Sequence, residues 1–185
     1  MNQDLLENNY FLVDDYMHPE RAAWLFNYLK TSIAFYPDQY GQPDQQVPGA
    51  PCASNMWEML EMLVDNAAPM KAFLGEPVFP TYVYSRLYKN GCELKPHVDR
   101  PACEISMTVH LGSDGTPWPF YIRKPNNEVV GLDLKPGQTV IYMGNRAEHW
   151  REPYQGQEYG QMFMHYVLAK GKNKIHYFDK QQEFK

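Results

Sequence analysis

A chain of 185 residues has room for one domain with its own core and none for a multidomain assembly. With 44% hydrophobic and 15% aromatic residues against 21% charged, the composition excludes a disordered chain. The formal net charge of -5, with no run of Lys or Arg longer than a pair, offers nothing to draw in a phosphate backbone, so no nucleic-acid partner is expected. No apolar run approaches the roughly 20 residues of a membrane span, and the N-terminus is polar and acidic where a secretory signal would be basic and then apolar. A cytoplasmic protein with no membrane partner is the expectation. Cys52, Cys92 and Cys103 are odd in number and form no CxxC pair, which speaks against a disulfide framework or a zinc knuckle.

In chain order, residues 19–33 place Pro19 in a first turn and Ala22, Leu25, Phe26 and Leu29 at helical spacing, predicting an amphipathic helix. Residues 35–54 hold four prolines, two glycines and four glutamines without periodicity. They read as a long loop, either a lid or a solvated connector. A second helix is expected over 55–74, capped by Ser54 or Asn55, with Trp57, Leu60, Leu63 and Val64 on its buried face and Met56, Met59 and Met62 as core filler. From residue 79 the period changes. TYVYSRLY, EISMTVHLG, PFYIRK, VVGLDL, TVIYMG, EHWRE and MFMHYVLA read as seven short strands separated by turn residues. Helices followed by a run of strands predict an α+β, mainly β chain, with helices on one face of an antiparallel sandwich. The organisation expected is a single domain over 1–185: a helical region over 1–78, a β core over 79–169, and a tail over 170–185 that lies back on the body.

The chemistry centres on His97-Val98-Asp99. Alternation along a strand or strand end sends His97 and Asp99 to the same side, and His149, in the predicted strand EHWRE, can face them across a sandwich. Two imidazoles and one carboxylate on one face of a metal suit Fe(II) and leave positions open for a co-substrate and O₂.

With these residues in place, the sequence resembles the Fe(II)/2-oxoglutarate-dependent oxygenase superfamily, most closely its prolyl-hydroxylase-like branch. The resemblance covers roughly residues 79–169. RLYKNGCELKPHVD answers to the branch's tyrosine, glycine and HxD pattern, and LKPGQTVIYMGNRAEHWREP to the strands that deliver the distal histidine. It implies a double-stranded β-helix, a jelly-roll or cupin-like barrel, with iron held at one open end by His97, Asp99 and His149. It further implies O₂ and 2-oxoglutarate as co-substrates, release of succinate and CO₂, and hydroxylation of a C–H bond. Halogenating relatives carry a small residue in place of the carboxylate, so Asp99 favours hydroxylation.

Family members commonly anchor the distal carboxylate of 2-oxoglutarate with an Arg or Lys on the last strand, because a guanidinium grips a carboxylate through two parallel hydrogen bonds. Residues 159–164 contain neither, and Gln161 stands at about that place. Arg151, two residues after His149 and on the same strand face, is expected to replace it, with Tyr88 and His110 bonding the co-substrate. Arg86 is next in order, Arg123 sits on a strand near the pocket floor, and Arg100 reads as a partner of Glu104. His165, on the last strand, is read as pointing inward toward the co-substrate or, by preference, as packing against the barrel, and His18 and His176 as structural. Trp118, Tyr121 and Trp150 are read as core or substrate pocket, and residues 37–51 and 114–119 as the loops where substrate is met.

Substrates open at this level are a free amino acid, a peptidyl proline or another small metabolite. Two alternatives stand beside this reading: a cupin-like metal dioxygenase that does not use 2-oxoglutarate, and a non-catalytic jelly-roll binding module in which the three residues are incidental.

Overall fold

The computed structural model describes residues 1–179. Helices α1 (Gln3–Asn8), α2 (Pro19–Phe35), α3 (Pro37–Tyr40), α4 (Trp57–Asp65) and α5 (Ala67–Leu74) accompany ten strands. These are β1 (Tyr10–Val13), β2 (Cys52–Ser54), β3 (Val78–Lys89), β4 (Leu94–His97), β5 (Ile105–Ser113), β6 (Phe120–Arg123), β7 (Val129–Leu132), β8 (Thr139–Tyr142), β9 (His149–Arg151) and β10 (Glu158–Leu168). The strands form a six-stranded sheet in the order β1-β8-β5-β10-β3-β2 and a four-stranded sheet in the order β4-β9-β6-β7. All pairings are antiparallel. From β3 to β10 the chain passes back and forth between the two sheets in the jelly-roll manner, with β6 and β7 forming a hairpin within the smaller one, and β1 and β2 extend the larger sheet at its edges. No helix among the described residues is long and apolar enough to cross a membrane.

Helix α2 buries the face its periodicity predicts, Ala22, Leu25, Phe26 and Leu29. It comes close to the larger sheet because Gly112 and Gly160 make room: a β-carbon at Gly112 would lie 2.6 Å from the Phe26 ring, and one at Gly160 would collide with it. The expected single helix over 55–74 is two, and the break has a local cause. Pro69 has no N–H, and its ring crowds the carbonyl four residues back, which is that of Asp65, the last residue of α4. The buried face also differs from the expected one. Leu63 is buried as expected, and so are Met56 and Met59 as core filler, while Trp57 and Val64 are exposed, so Met56 and Met59 take the place at the core expected of Trp57 and Val64. Neither expected cap forms: Met56 is the N-cap, without a side-chain hydrogen bond, and Asn55 accepts from Val83 N at 3.1 Å.

Three strands go beyond the seven expected, β1, β2 and β4. Strand β4 carries Pro96, which demotes a run as a strand signal; its place at the sheet edge is where a proline is tolerated. The loop between α3 and β2 is rooted by Val47 and Ala50, which are buried with Tyr88, Leu94, Trp118, Tyr154 and Tyr159, so it is not a merely solvated connector. After β10 the chain folds back: Phe178 N bonds Pro80 O at 2.9 Å, and Asp179 pairs with Arg100. That pairing replaces the expected one, because Glu104 instead accepts from Leu168 N at 3.0 Å. Residues 180–185 of the tail lie outside the described residues.

Candidate metal centre and its cavity

His97 ends β4 and His149 opens β9, and the two pair across the small sheet. Asp99 follows in the loop, tied by its own N–H to Gly144 O at 2.8 Å. Asp99 Oδ1 lies 3.4 Å from His97 Nε2 and 3.5 Å from His149 Nε2, and the three ligating atoms fall within 4.8 Å of one another. Each imidazole turns Nδ1 to a backbone carbonyl, His97 to Lys95 O at 2.8 Å and His149 to Ala147 O at 2.9 Å. A carbonyl only accepts, so both protons sit on Nδ1 and both Nε2 lone pairs face the common point. Such carbonyl partners fix tautomer and ring orientation in metal sites.

A second rank holds the carboxylate. Ser106 Oγ donates to Asp99 Oδ2 at 3.2 Å and lies 2.9 Å from His165 Nδ1. Burial by itself would raise the Asp99 pKa, but His149 and His97, which donate to it through Nε2 when protonated, hold it well below the usual carboxylate range. Burial would likewise lower His97, yet Asp99 and the Lys95 carbonyl raise it. The arrangement is an ionised carboxylate and two neutral-capable imidazoles, a donor set that fits a divalent ion such as Fe(II). His165 therefore faces the site, which corrects its reading as a packing residue. Neither it nor Ser106 carries a spacing signal that would have shown this.

Gly144 is required for that geometry. A β-carbon there would lie 2.6 Å from Asp99 Oδ2 and would collide with Cys103 O. Gly144→Ala is expected to weaken metal binding by about 10- to 100-fold, the effect of losing an outer partner, which a competition titration with a fluorescent chelator would read. Unchanged affinity would mean that Asp99 can be moved without cost.

The triad opens on a cavity of about 450 Å³, which both Arg86 and Arg151 line. They are the only Arg or Lys side chains fully buried among the described residues, each 2% exposed. Arg151 reaches across the barrel to Trp118 O and to Gln161 Oε1, the latter at 2.8 Å. Its guanidinium lies over the rings of Trp118, Tyr159 and Phe120 and pairs with no carboxylate among the described residues. Arg86 lies beside Gln161 in register and pairs with Asp44 of the α3–β2 loop.

Tyr88 and His110 stand behind this lining. Tyr88 Oη accepts from Arg86 at 3.3 Å. His110 stacks on Tyr159 at 4.1 Å, with Nδ1 on Leu134 O at 2.7 Å and Nε2 unpartnered among the described residues. Of the two loops expected to meet substrate, 37–51 lines the cavity through Gln42, Pro43, Asp44 and Gln46, while the 114–119 loop does not. Tyr121 and Trp150 stack on each other on the outer face of the small sheet, opposite to His149 and Arg151, so they do not shape the pocket. Arg123 pairs with Glu148 on that side. His18 caps α2, and His176 lies 3.7 Å from Asp179.

Burial pushes His110 and His165 down to about 4, against an ordinary value near 6.5. Below pH ~6.5 the unfolded chain takes protons that the folded chain refuses. Their contribution is therefore complete above that pH and is lost as pH falls toward 4, by about 2 kcal/mol per histidine at pH 5. His97, raised by Asp99, offsets part of this. Urea unfolding of the metal-free protein should show lower stability at pH 5.0 than at 7.5, and His110→Gln should reduce the difference by about half. An unchanged difference in that variant would contradict a neutral buried His110.

No protein-family model matches this sequence, and no curated protein does. Solved structures do match. A prolyl-4-hydroxylase from Pseudomonas putida superposes with a TM-score of 0.72 at 12% identity, over 89% of this chain and 95% of that one. An oxidoreductase of the 2OG-Fe(II) oxygenase family from Burkholderia pseudomallei gives 0.72 at 14%, over 92% and 90%. HygX from Streptomyces hygroscopicus, solved with nickel, 2-oxoglutarate and hygromycin B, gives 0.72 at 8%, over 92% and 88%. At these identities the likeness is one of fold, and the chain has the double-stranded β-helix of the 2OG-Fe(II) oxygenases.

Proposed function

We propose that the protein is an Fe(II)- and 2-oxoglutarate-dependent dioxygenase that hydroxylates a C–H bond of a small-molecule or peptide substrate in the cytoplasm, the 185 residues acting as one domain. The observation that carries this reading is the convergence of His97, Asp99 and His149 within 4.8 Å on a cavity that also holds a buried arginine, Arg151, without a carboxylate partner among the described residues. Leaving a buried charge uncompensated costs several kcal/mol, so Arg151 is a cation held for an anion that enters from outside.

His97, Asp99 and His149 hold the metal, and Arg151 holds the distal carboxylate of 2-oxoglutarate. When bound, iron and 2-oxoglutarate supply the oxidising power: O₂ is split, the co-substrate becomes succinate and CO₂, and one oxygen atom enters the C–H bond. The protein's role is orientation and shielding. Gln161, itself held by Thr108, fixes one edge of Arg151. Tyr159 stacks beneath the guanidinium, its buried hydroxyl without a partner among the described residues, and His110 holds Tyr159 from behind. Tyr88 touches Arg86 by its hydroxyl and packs its ring on Trp118 at 4.8 Å, the indole over which Arg151 lies.

The test is an anaerobic titration of the Fe(II)-loaded protein with 2-oxoglutarate, watching for the weak visible charge-transfer band of the chelate, beside His97→Ala. A band in the wild type alone supports the reading. Tight iron binding with no band points to a metal dioxygenase that does not use 2-oxoglutarate, and no metal binding at all to a non-catalytic binding module.

A further inference from the structure

The cavity contains one more buried cation than the co-substrate uses. With Arg151 given to 2-oxoglutarate, Arg86 remains, and its surroundings are those of a second carboxylate site. Its carboxylate partner among the described residues is Asp44, which comes from the α3–β2 loop, 42 residues away in sequence, and whose side chain is 37% exposed at the cavity mouth. Asp44 divides its attention. Oδ1 is spent on its own turn, accepting from Gln46 N at 3.0 Å and Val47 N at 2.9 Å. Only Oδ2 is left for Arg86 and for Tyr84 Oη, the latter at 2.6 Å. The grip is therefore one-handed, and Arg86 Nε is buried without a partner among the described residues, whereas a carboxylate that fills the guanidinium fork uses two parallel bonds.

Gln46 shows how near this site is to the metal. Its amide oxygen accepts from Arg86 Nη2 at 3.1 Å, while its amide nitrogen donates to His97 Nε2 at 3.0 Å, the atom that must bind the metal. One side chain spans the whole gap, and it must leave when His97 takes a metal ligand's role. Charge balance points the same way. Two guanidiniums and a divalent ion, set against Asp99 and the dianion 2-oxoglutarate, leave one positive charge in a cavity whose two arginines are each 2% exposed, where an unpaired charge is costly. Asp44 supplies the missing negative charge in the closed loop. Tyr82, Tyr84 and Phe163 give the adjoining wall an aromatic surface.

We propose that Arg86 and Tyr84 recognise a carboxylate on the substrate to be oxidised, that Asp44 and Gln46 hold this place when no substrate is present, and that the oxidised carbon lies within a few bonds of that carboxylate. The inference rests on the dioxygenase reading above and narrows its substrate to small carboxylic acids.

The test uses the Fe(II)-loaded protein under anaerobic conditions with saturating 2-oxoglutarate, titrated calorimetrically with propionate and with propionamide as its uncharged counterpart. Asp44→Ala should bind propionate at least about 10-fold more tightly than the wild type, and neither protein should bind propionamide. Adding Arg86→Gln to Asp44→Ala should remove the gain, and adding Tyr84→Phe, which keeps the packing, should reduce it severalfold. The assignment is overturned if Asp44→Ala binds acid and amide alike, if its propionate affinity ignores Arg86→Gln and Tyr84→Phe, or if 2-oxoglutarate expels propionate, which would make Arg86 the co-substrate anchor. The charge-transfer band is recorded first in each preparation. Its absence from the wild type would take down the dioxygenase reading and this inference together, whereas a normal band with propionate indifferent to Arg86 takes down this inference alone.

Discussion

Replacing Asp99 by alanine is expected to lower Fe(II) affinity by at least about 100-fold and to stop 2-oxoglutarate turnover, with the far-UV circular dichroism spectrum unchanged. Outer partners of metal ligands already cost 10- to 100-fold when lost, and Asp99 is the anionic member of the donor set. Its Oδ1 sits at near-equal distance from the two imidazole nitrogens, 3.4 and 3.5 Å, so removing it takes away the atom on which both histidines converge. Asp99→Asn is the sharper control, since it keeps the size and the Ser106 contact and removes only the charge. Equilibrium dialysis with Fe(II) under argon reads the affinity, and succinate formation reads the turnover. Metal binding retained by Asp99→Ala would mean that another carboxylate serves, and the assignment would fall.

Arg151→Gln should weaken 2-oxoglutarate binding by about 100-fold or more while leaving metal affinity near that of the wild type. Truncating one partner of a buried, hydrogen-bonded charge pair costs about 2–5 kcal/mol, which is the range of that loss. Arg151→Lys should recover some of it, because the charge returns without the planar fork that meets a carboxylate with two bonds. Glutamine also leaves Gln161 Oε1 and Trp118 O short of a donor, so thermal unfolding must be followed beside the binding titration to separate a lost anchor from a loosened fold. If 2-oxoglutarate bound equally well to Arg151→Gln and failed to bind Arg86→Gln, the roles of the two arginines would have to be exchanged.

Some of this site can be read from local pattern. His97 and Asp99 share a side because alternate residues do, and Arg151 shares the inward face of His149 for the same reason; both follow from a period of two and need no knowledge of the partner strand. The α2 face of Ala22, Leu25, Phe26 and Leu29 is legible from its helical period. Where the local signal is divided, the reading fails. Trp57 and Met56 are adjacent and both apolar, so hydrophobicity alone does not say which of them turns to the sheet. Strand β4 is hidden by Pro96, a residue whose effect depends on whether its strand lies at an edge. His165 cannot be told from a packing residue, because its partner Ser106 lies 59 positions away.

Short-range periodicity is enough to define a mainly β chain led by helices, and the contiguous His97-Val98-Asp99 to offer two candidate ligands, since both are properties of neighbouring residues and their chemistry; that His149 joins them is a matter of assembly. Which cation stands free and which is taken is settled by long-range assembly. Arg151 and Arg86 are both inward-facing arginines on strands. What separates them is that a loop 42 residues from Arg86 brings Asp44 to it, while nothing among the described residues brings a carboxylate to Arg151. Such pairings are set by which chain segments the antiparallel topology brings to one end of the barrel, and a buried charge takes its meaning from the neighbours assembled there.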